Sequence, residues 1–136
     1  MEIRQLETID ERRPAVPILR QLWTDREPED VLAWTGDEDY YCAGGFDGGD
    51  LVAVAGVLEV GHLHHRPVAW LSDLVVDEPR RGEGFGAEMV RHVEAWARDQ
   101  GCDRVALASP LAKEATHDFY DSLDYERWGY VIERDL

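Results

Sequence analysis

The period of the apolar positions changes several times along the chain, and each change marks an element. Residues 2–8 carry Ile3 and Leu6, with Ile9 following, in loose alternation, which predicts a short first strand. Asp10 can cap the next segment. From Pro14 to Trp23 the apolar residues Val16, Ile18, Leu19, Leu22 and Trp23 suit a helix with proline near its start. Pro28 opens a second short helix, apolar at Val31, Leu32 and Trp34 and stopped by Gly36. Tyr40 to Phe46 reads as a strand despite Gly44 and Gly45. Asp47-Gly48-Gly49-Asp50 reads as a turn and Leu51 to Val60 as a nearly continuous apolar strand, so the pair is a hairpin. Gly61 to Pro67 is the next turn, leading into Val68 to Val76. Three strands joined by short turns make an antiparallel meander.

A glycine-rich turn comes next, and then a long helix over 84–100. Phe85, Met89, Val93 and Trp96/Ala97 share one face of it, and Gly101 sits where a C′ glycine belongs. Arg104 to Ala108 is a short buried strand, reached by a helical crossover and therefore parallel to the strand ending at Val76. Ala112 to Leu123 is helical, and Trp128 to Glu133 has the character of a final strand. Neither linker nor repeat interrupts this order. The expectation is one α+β domain over 1–136, with a mixed, mostly antiparallel sheet and helices on both faces.

Composition changes this picture little, and charge changes it more. At 136 residues, 44% of them hydrophobic, the chain can build a real core. No run of about 18 apolar residues suggests a membrane span, and the first residues lack the pattern of a signal peptide, so the cytoplasm is the expected location. Against 29 acidic residues stand 14 basic ones, giving a net charge of −15. Of those 14, Lys113 is the lone lysine and the rest are arginine. That balance argues against nucleic acid or an anionic membrane as partner, since both need basic surface. It fits either a cationic substrate or a surface suited to high salt. The spread of acids along the whole chain favours the second, and the composition resembles that of proteins from halophilic archaea.

Two groups of residues could suggest other chemistry. Cys42 and Cys102 lie far apart with no metal-ligand spacing, as expected of small buried thiols. His62, His64 and His65 share a segment with Gly61 and Pro67, which a hairpin turn explains better than a metal site. No metal is expected.

The strongest local signal is Val76-Asp-Glu-Pro-Arg-Arg81-Gly-Glu-Gly-Phe-Gly86-Ala87. A strand, a tight glycine turn and a helix N-terminus converge there. Backbone N–H groups gather, the helix dipole favours negative charge, and absent side chains permit close approach, so the turn should hold an anion. A dinucleotide fingerprint would follow the first strand of a parallel unit, whereas a meander precedes this turn. A phosphate loop of the Gly-Lys-[Ser/Thr] kind needs a lysine that is missing here.

Arg81-x-x-Gly84-x-Gly86 resembles the acyl-CoA signature of the GNAT superfamily of N-acetyltransferases. A second segment, Ala115-Thr-His-Asp-Phe-Tyr120-x-x-x-Asp-Tyr125 followed by Trp128-Gly-Tyr-Val, is similar to that family's closing helix and strand. The element order matches as well. The resemblance is sharp over residues 52–133 and rests on element order before that.

The resemblance implies an acetyl-CoA-dependent N-acetyltransferase that transfers an acetyl group directly to a primary amine. The pyrophosphate of coenzyme A would sit on the amides of Gly82, Glu83, Gly84, Phe85, Gly86 and Ala87, with Arg81 adding a guanidinium fork. Glu83, a carboxylate in an anion site, should turn outward. Leu74, Val75 and Val76 would lend backbone hydrogen bonds to the pantetheine arm where their strand splays from the next. Tyr120 would protonate the leaving thiolate; the alternative is an aromatic that packs the last helix, like Phe119. Asp73 and Glu59 are candidate bases, with water relay and a purely structural role as alternatives. His117 should stabilise its helix.

Asp124 and Ser109-Pro110 depart from the family pattern. Asp124 replaces a glycine where a left-handed conformation is expected, and Ser109-Pro110 stands near where many relatives carry a cofactor-orienting Asn. The acceptor is expected to be a small-molecule or peptide amine, chosen by residues 20–45 and the 60–67 turn. The exposed end strand of such folds often pairs, so a homodimer is among the expected assemblies. A rival reading is a non-catalytic acyl-CoA sensor or interaction module on the same fold.

Overall fold

The computed structural model describes residues 1–62 and 65–136. The chain packs as two compact units, Met1–Ala106 and Leu107–Leu136.

The first unit holds one five-stranded sheet. Its strands are β1 (Glu2–Gln5), β2 (Tyr40–Asp47), β3 (Asp50–His62), β4 (His65–Val76) and β5 (Arg104–Ala106), in spatial order 1-2-3-4-5. The first three pairings are antiparallel and β4–β5 is parallel, as the crossover requires. Between β1 and β2 run α1 (Ile9–Arg12), α2 (Ala15–Leu19) and α3 (Pro28–Thr35). Between β4 and β5 runs α4 (Phe85–Asp99).

Both faces of the sheet are covered, and adjacent glycines show it. A β-carbon at Gly44 would meet Leu6 and Leu51, while one at Gly45 would meet Met89 of α4. Neighbouring strand residues point to opposite faces, so a side chain at either position would collide with a different layer. Covering on both sides also explains the apolar run in β3, where Val52, Ala53, Val54, Ala55 and Val57 are all buried. On the α2/α3 face Leu6, Val16, Ile18, Leu19, Val31 and Val54 form the main cluster. On the other, α4 buries Met89, Val90, Val93 and Ala97.

Several local expectations are refined. The first helical segment starts earlier than Pro14, because Thr8 and Glu11 form a reciprocal capping box ahead of Asp10. The β2–β3 turn uses Gly48 and Gly49, both at positive φ (59° and 89°), as a tight hairpin demands. The turn expected over Gly61 to Pro67 is shorter, since Gly61 and His62 belong to β3 and His65 to Pro67 to β4. Its centre, with His64, lies outside the described residues. Among the described residues no His/Cys/Asp/Glu group is arranged to hold a metal.

The second unit contains α5 (Glu114–Ser122). After it Asp124 adopts φ +66°, the left-handed conformation anticipated at this glycine-replacing position. The final strand expected over Trp128 to Glu133 is not formed. Trp128 is 94% exposed and Ile132 92% exposed. Strand propensity mostly reflects packing against neighbours, and in this segment those neighbours are missing. None of the helices among the described residues is long and apolar enough to cross a membrane.

Candidate active site

β4 delivers the glycine turn, and its β5 pairing ends before the turn begins. The pairing with β5 covers Val68↔Arg104, Ala69↔Val105 and Trp70↔Ala106 and then stops. From Leu71 to Val76 the β5 side of β4 has no strand partner among the described residues. Leu74, Val75 and Val76, where a splay is expected, lie on this unpaired stretch. A bulge lies at the same place. Gly56 pairs with Asp73 but Val57 with Leu71, so Ser72 is the extra residue.

Beyond Val76 the chain makes one 3₁₀ turn, Glu78–Arg80, and reaches Arg81 in an extended conformation. Gly82 (φ +83°) and Gly84 (φ +87°) come next, in left-handed conformations that side chains resist. Gly84 is the N-cap of α4 and supplies no side-chain cap. The first backbone N–H inside α4 to find a helical carbonyl is that of Glu88, on Gly84 O at 3.3 Å. The amides of Phe85, Gly86 and Ala87 therefore point out of the helix end with its positive dipole behind them.

The charged side chains of the turn are held individually. Arg80 is bonded to Glu83 at 2.9 Å and to Asp47 of the β2–β3 turn, and its guanidinium lies 5.2 Å above the Phe85 ring. These bonds, Glu83 first, push the Arg80 pKa further up. Glu83 is thus paired with Arg80, which it shares with Asp47, a partner its position in the motif did not reveal. Arg81 donates Nε–H to Val76 O at 3.0 Å and Nη2–H to Gln21 Oε1 at 3.1 Å.

Gln21 is the residue sequence reasoning missed. It sits just beyond α2 and makes three hydrogen bonds to the turn. Its Nε2–H donates to Asp77 Oδ1 at 2.6 Å, and its Oε1 accepts from Glu78 N–H at 3.0 Å and from Arg81. Nothing in the local pattern marks it, because a half-buried glutamine after a helix looks like ordinary surface.

The two carboxylates expected as bases are not brought together. Asp73 is 3% exposed and accepts from the Trp23 indole at 2.6 Å and from the Tyr40 hydroxyl at 2.8 Å, one bond to each oxygen. Burial, with the Asp73 charge next, drives the Tyr40 phenol far above its ordinary pKa, so Tyr40 remains a donor. Cys42, on the same face, is pushed up to about 12 by burial and stays a thiol. Glu59 lies three residues along β3 from the partner of Asp73, hence on the opposite face. It is exposed and lines an open cleft of about 320 Å³ with Tyr41, Trp96 and Gln100. There the Tyr41 ring stacks on Trp96 at 4.4 Å, and its hydroxyl meets His92 Nε2 at 2.9 Å. Burial lowers the His92 pKa.

In the second unit, Tyr120 is on α5, edge-on to Phe119 at 4.9 Å and tilted against Tyr125 at 5.4 Å. Burial pushes its phenol up to about 12. Ser109 Oγ is buried with no hydrogen-bond partner.

Comparison with known proteins gives this geometry a family. The chain is 28% identical to the N-acetyltransferase YhdJ of Bacillus subtilis strain 168 over 140 residues, covering 100% of this chain and 96% of that one. It is 25% identical to an aminoglycoside N(6')-acetyltransferase type 1 of Serratia marcescens over 121 residues, 82% of each chain. In three dimensions it resembles the aminoglycoside N-acetyltransferase AAC(6')-Iy in complex with CoA, with a TM-score of 0.87 at 18% identity over 99% of this chain and 93% of the other. Residues 3–125 match the acetyltransferase (GNAT) family as a whole. GNAT acetyltransferases use acetyl-CoA as acyl donor. The chain belongs to the GNAT family of acetyltransferases and is an N-acetyltransferase.

Proposed function

We propose that residues 1–136 act as one acetyltransferase domain that binds acetyl-CoA along β4 and the 81–87 turn and passes its acetyl group directly to a small primary amine. The observation behind this is the uncapped N-terminus of α4, entered through Gly82 and Gly84 at positive φ directly after an unpartnered strand edge. The amides of residues 82–87 would take the pyrophosphate, Arg81 would add charge, and the edge from Leu74 to Val76 would hold the pantetheine. Holding thioester and amine side by side accounts for much of the rate.

Tyr120 is the proton donor to the leaving sulfur in this reading. Its phenol is protonated in the neutral range and so has a proton to give, and the motif around it is the support for the role. For proton removal from the amine, Glu59 is exposed, whereas Asp73 has both oxygens bonded to neutral donors. Glu59 or water is therefore the base we favour, and Asp73 holds β4 in place. An aminoglycoside-like polyamine is a reasonable first acceptor to try, since a relative named for aminoglycosides aligns over 82% of this chain. We read the −15 charge as a surface for concentrated salt rather than as a substrate attractor.

Two measurements test the proposal. Calorimetric titration should detect acetyl-CoA binding at micromolar levels, and its absence would sink the site assignment. Tyr120→Phe should lower thiol release about a hundredfold with little change in CoA affinity. An unchanged rate would remove Tyr120 from the reaction, and CoA binding with no thiol release across a panel of amines would favour a sensor.

A further inference from the structure

Arg81 carries a long side chain on an exposed turn, and such a chain samples many rotamers unless something holds it. Here two acceptors hold it, the Val76 carbonyl and the Gln21 carboxamide. The same carboxamide oxygen takes the Glu78 N–H, an amide of the 3₁₀ turn, while its NH₂ group holds the Asp77 carboxylate. A carboxamide is the side-chain group that can serve a carboxylate at one end and a guanidinium with an N–H at the other. Leucine of similar size could do neither.

We propose that Gln21 is a positioning residue for acyl-CoA. Its carboxamide fixes the path from Asp77 to Arg81 before ligand arrives, so Arg81 meets the anion already oriented. The guanidinium has five N–H groups, and the bonds to Val76 and Gln21 use two of them, which leaves a face for phosphate. The inference rests on the assignment of the 81–87 turn to the phosphates of acyl-CoA.

A double-mutant cycle on CoA affinity tests it, with no acceptor amine needed. CoA binding is measured by calorimetry for the parent, Gln21→Leu, Arg81→Ala and the double variant, each checked for folding by circular dichroism. Gln21→Leu should weaken CoA about tenfold, and the double variant should be no weaker than Arg81→Ala by more than about twofold, because the Gln21 effect passes through Arg81. Gln21→Ala carries the same comparison if the leucine variant does not fold. Affinity within twofold of parent in the folded Gln21 variant overturns the inference, as does a Gln21 effect that multiplies fully with Arg81→Ala. If Arg81→Ala itself leaves CoA affinity unchanged, the phosphate assignment fails and takes the Gln21 role with it.

Discussion

At Gly56 the space a β-carbon would occupy is already filled. Such an atom would lie 1.6 Å from the Tyr40 hydroxyl and 2.0 Å from its ring carbon. The absent side chain lets the phenol cross β3 and reach Asp73 at the bulge of β4. A contact between two residues far apart in sequence, Tyr40 and Asp73, thus depends on one missing methyl. Gly56→Ala should cost about 2 kcal/mol or more, since the buried ring has nowhere to move without breaking its bond to Asp73. Urea denaturation of the purified variant checks this, and unchanged stability would mean that Tyr40 repacks freely. No sequence signal marks Gly56 or the contact of Tyr40 and Trp23 with Asp73, because a glycine in a strand has many explanations and such a contact is purely tertiary.

The turn between β4 and α4 is where sequence and structure agree best. The turn was readable because a strand end, a run of alternate glycines and a helix start are properties of a few consecutive residues. Gly101 after α4 and Asp124 after α5 were readable for the same reason. Gly84→Ala tests the physical argument. An alanine at φ +87° should cost about 1 kcal/mol and, by shifting the helix entry, lower CoA affinity as well. Both are measurable on one sample by thermal melts with and without CoA, and an equal ligand-induced shift in parent and variant would detach Gly84 from binding. What could not be read at this scale depended on distant partners. Gln21 and the Arg80–Asp47 pair join segments with no local relation, and Trp128 to Glu133 has the right residues for a strand without the paired edge that a strand needs. The helix start was readable but misplaced, since Thr8 with Glu11 outranks Asp10 as a cap.

Across the whole molecule the net charge of −15 is a uniform property that no single contact explains. Ion pairing leaves that excess unchanged, and the pairs among the described residues lie at the surface, with Arg80 engaged by two carboxylates. Self-repulsion should therefore weaken the compact state at low ionic strength. Raising NaCl from 0.1 M toward 1 M shortens the screening length from about 10 Å to about 3 Å, and Tm should rise by several degrees. A flat or falling Tm would remove the high-salt reading of the surface. Family membership was legible at this scale through element order, while the acceptor was not, because the residues expected to choose it carry no motif.

The order of strands across the sheet is the order in which they leave the ribosome. β1 to β4 each lie beside a strand that is a neighbour in sequence. Every antiparallel pairing can therefore close soon after its second strand is made, with β1 waiting only for the short helices before β2. The parallel pairing is different, since β5 can join only after all of α4 has been synthesised and laid across the sheet. The edge that would receive the cofactor is thus next to the last seam of the sheet to close. A released chain truncated before Gly101 would hold the strands of the meander and the turn, yet its β4 would have no partner along its whole outer side, a template for mispairing with another chain.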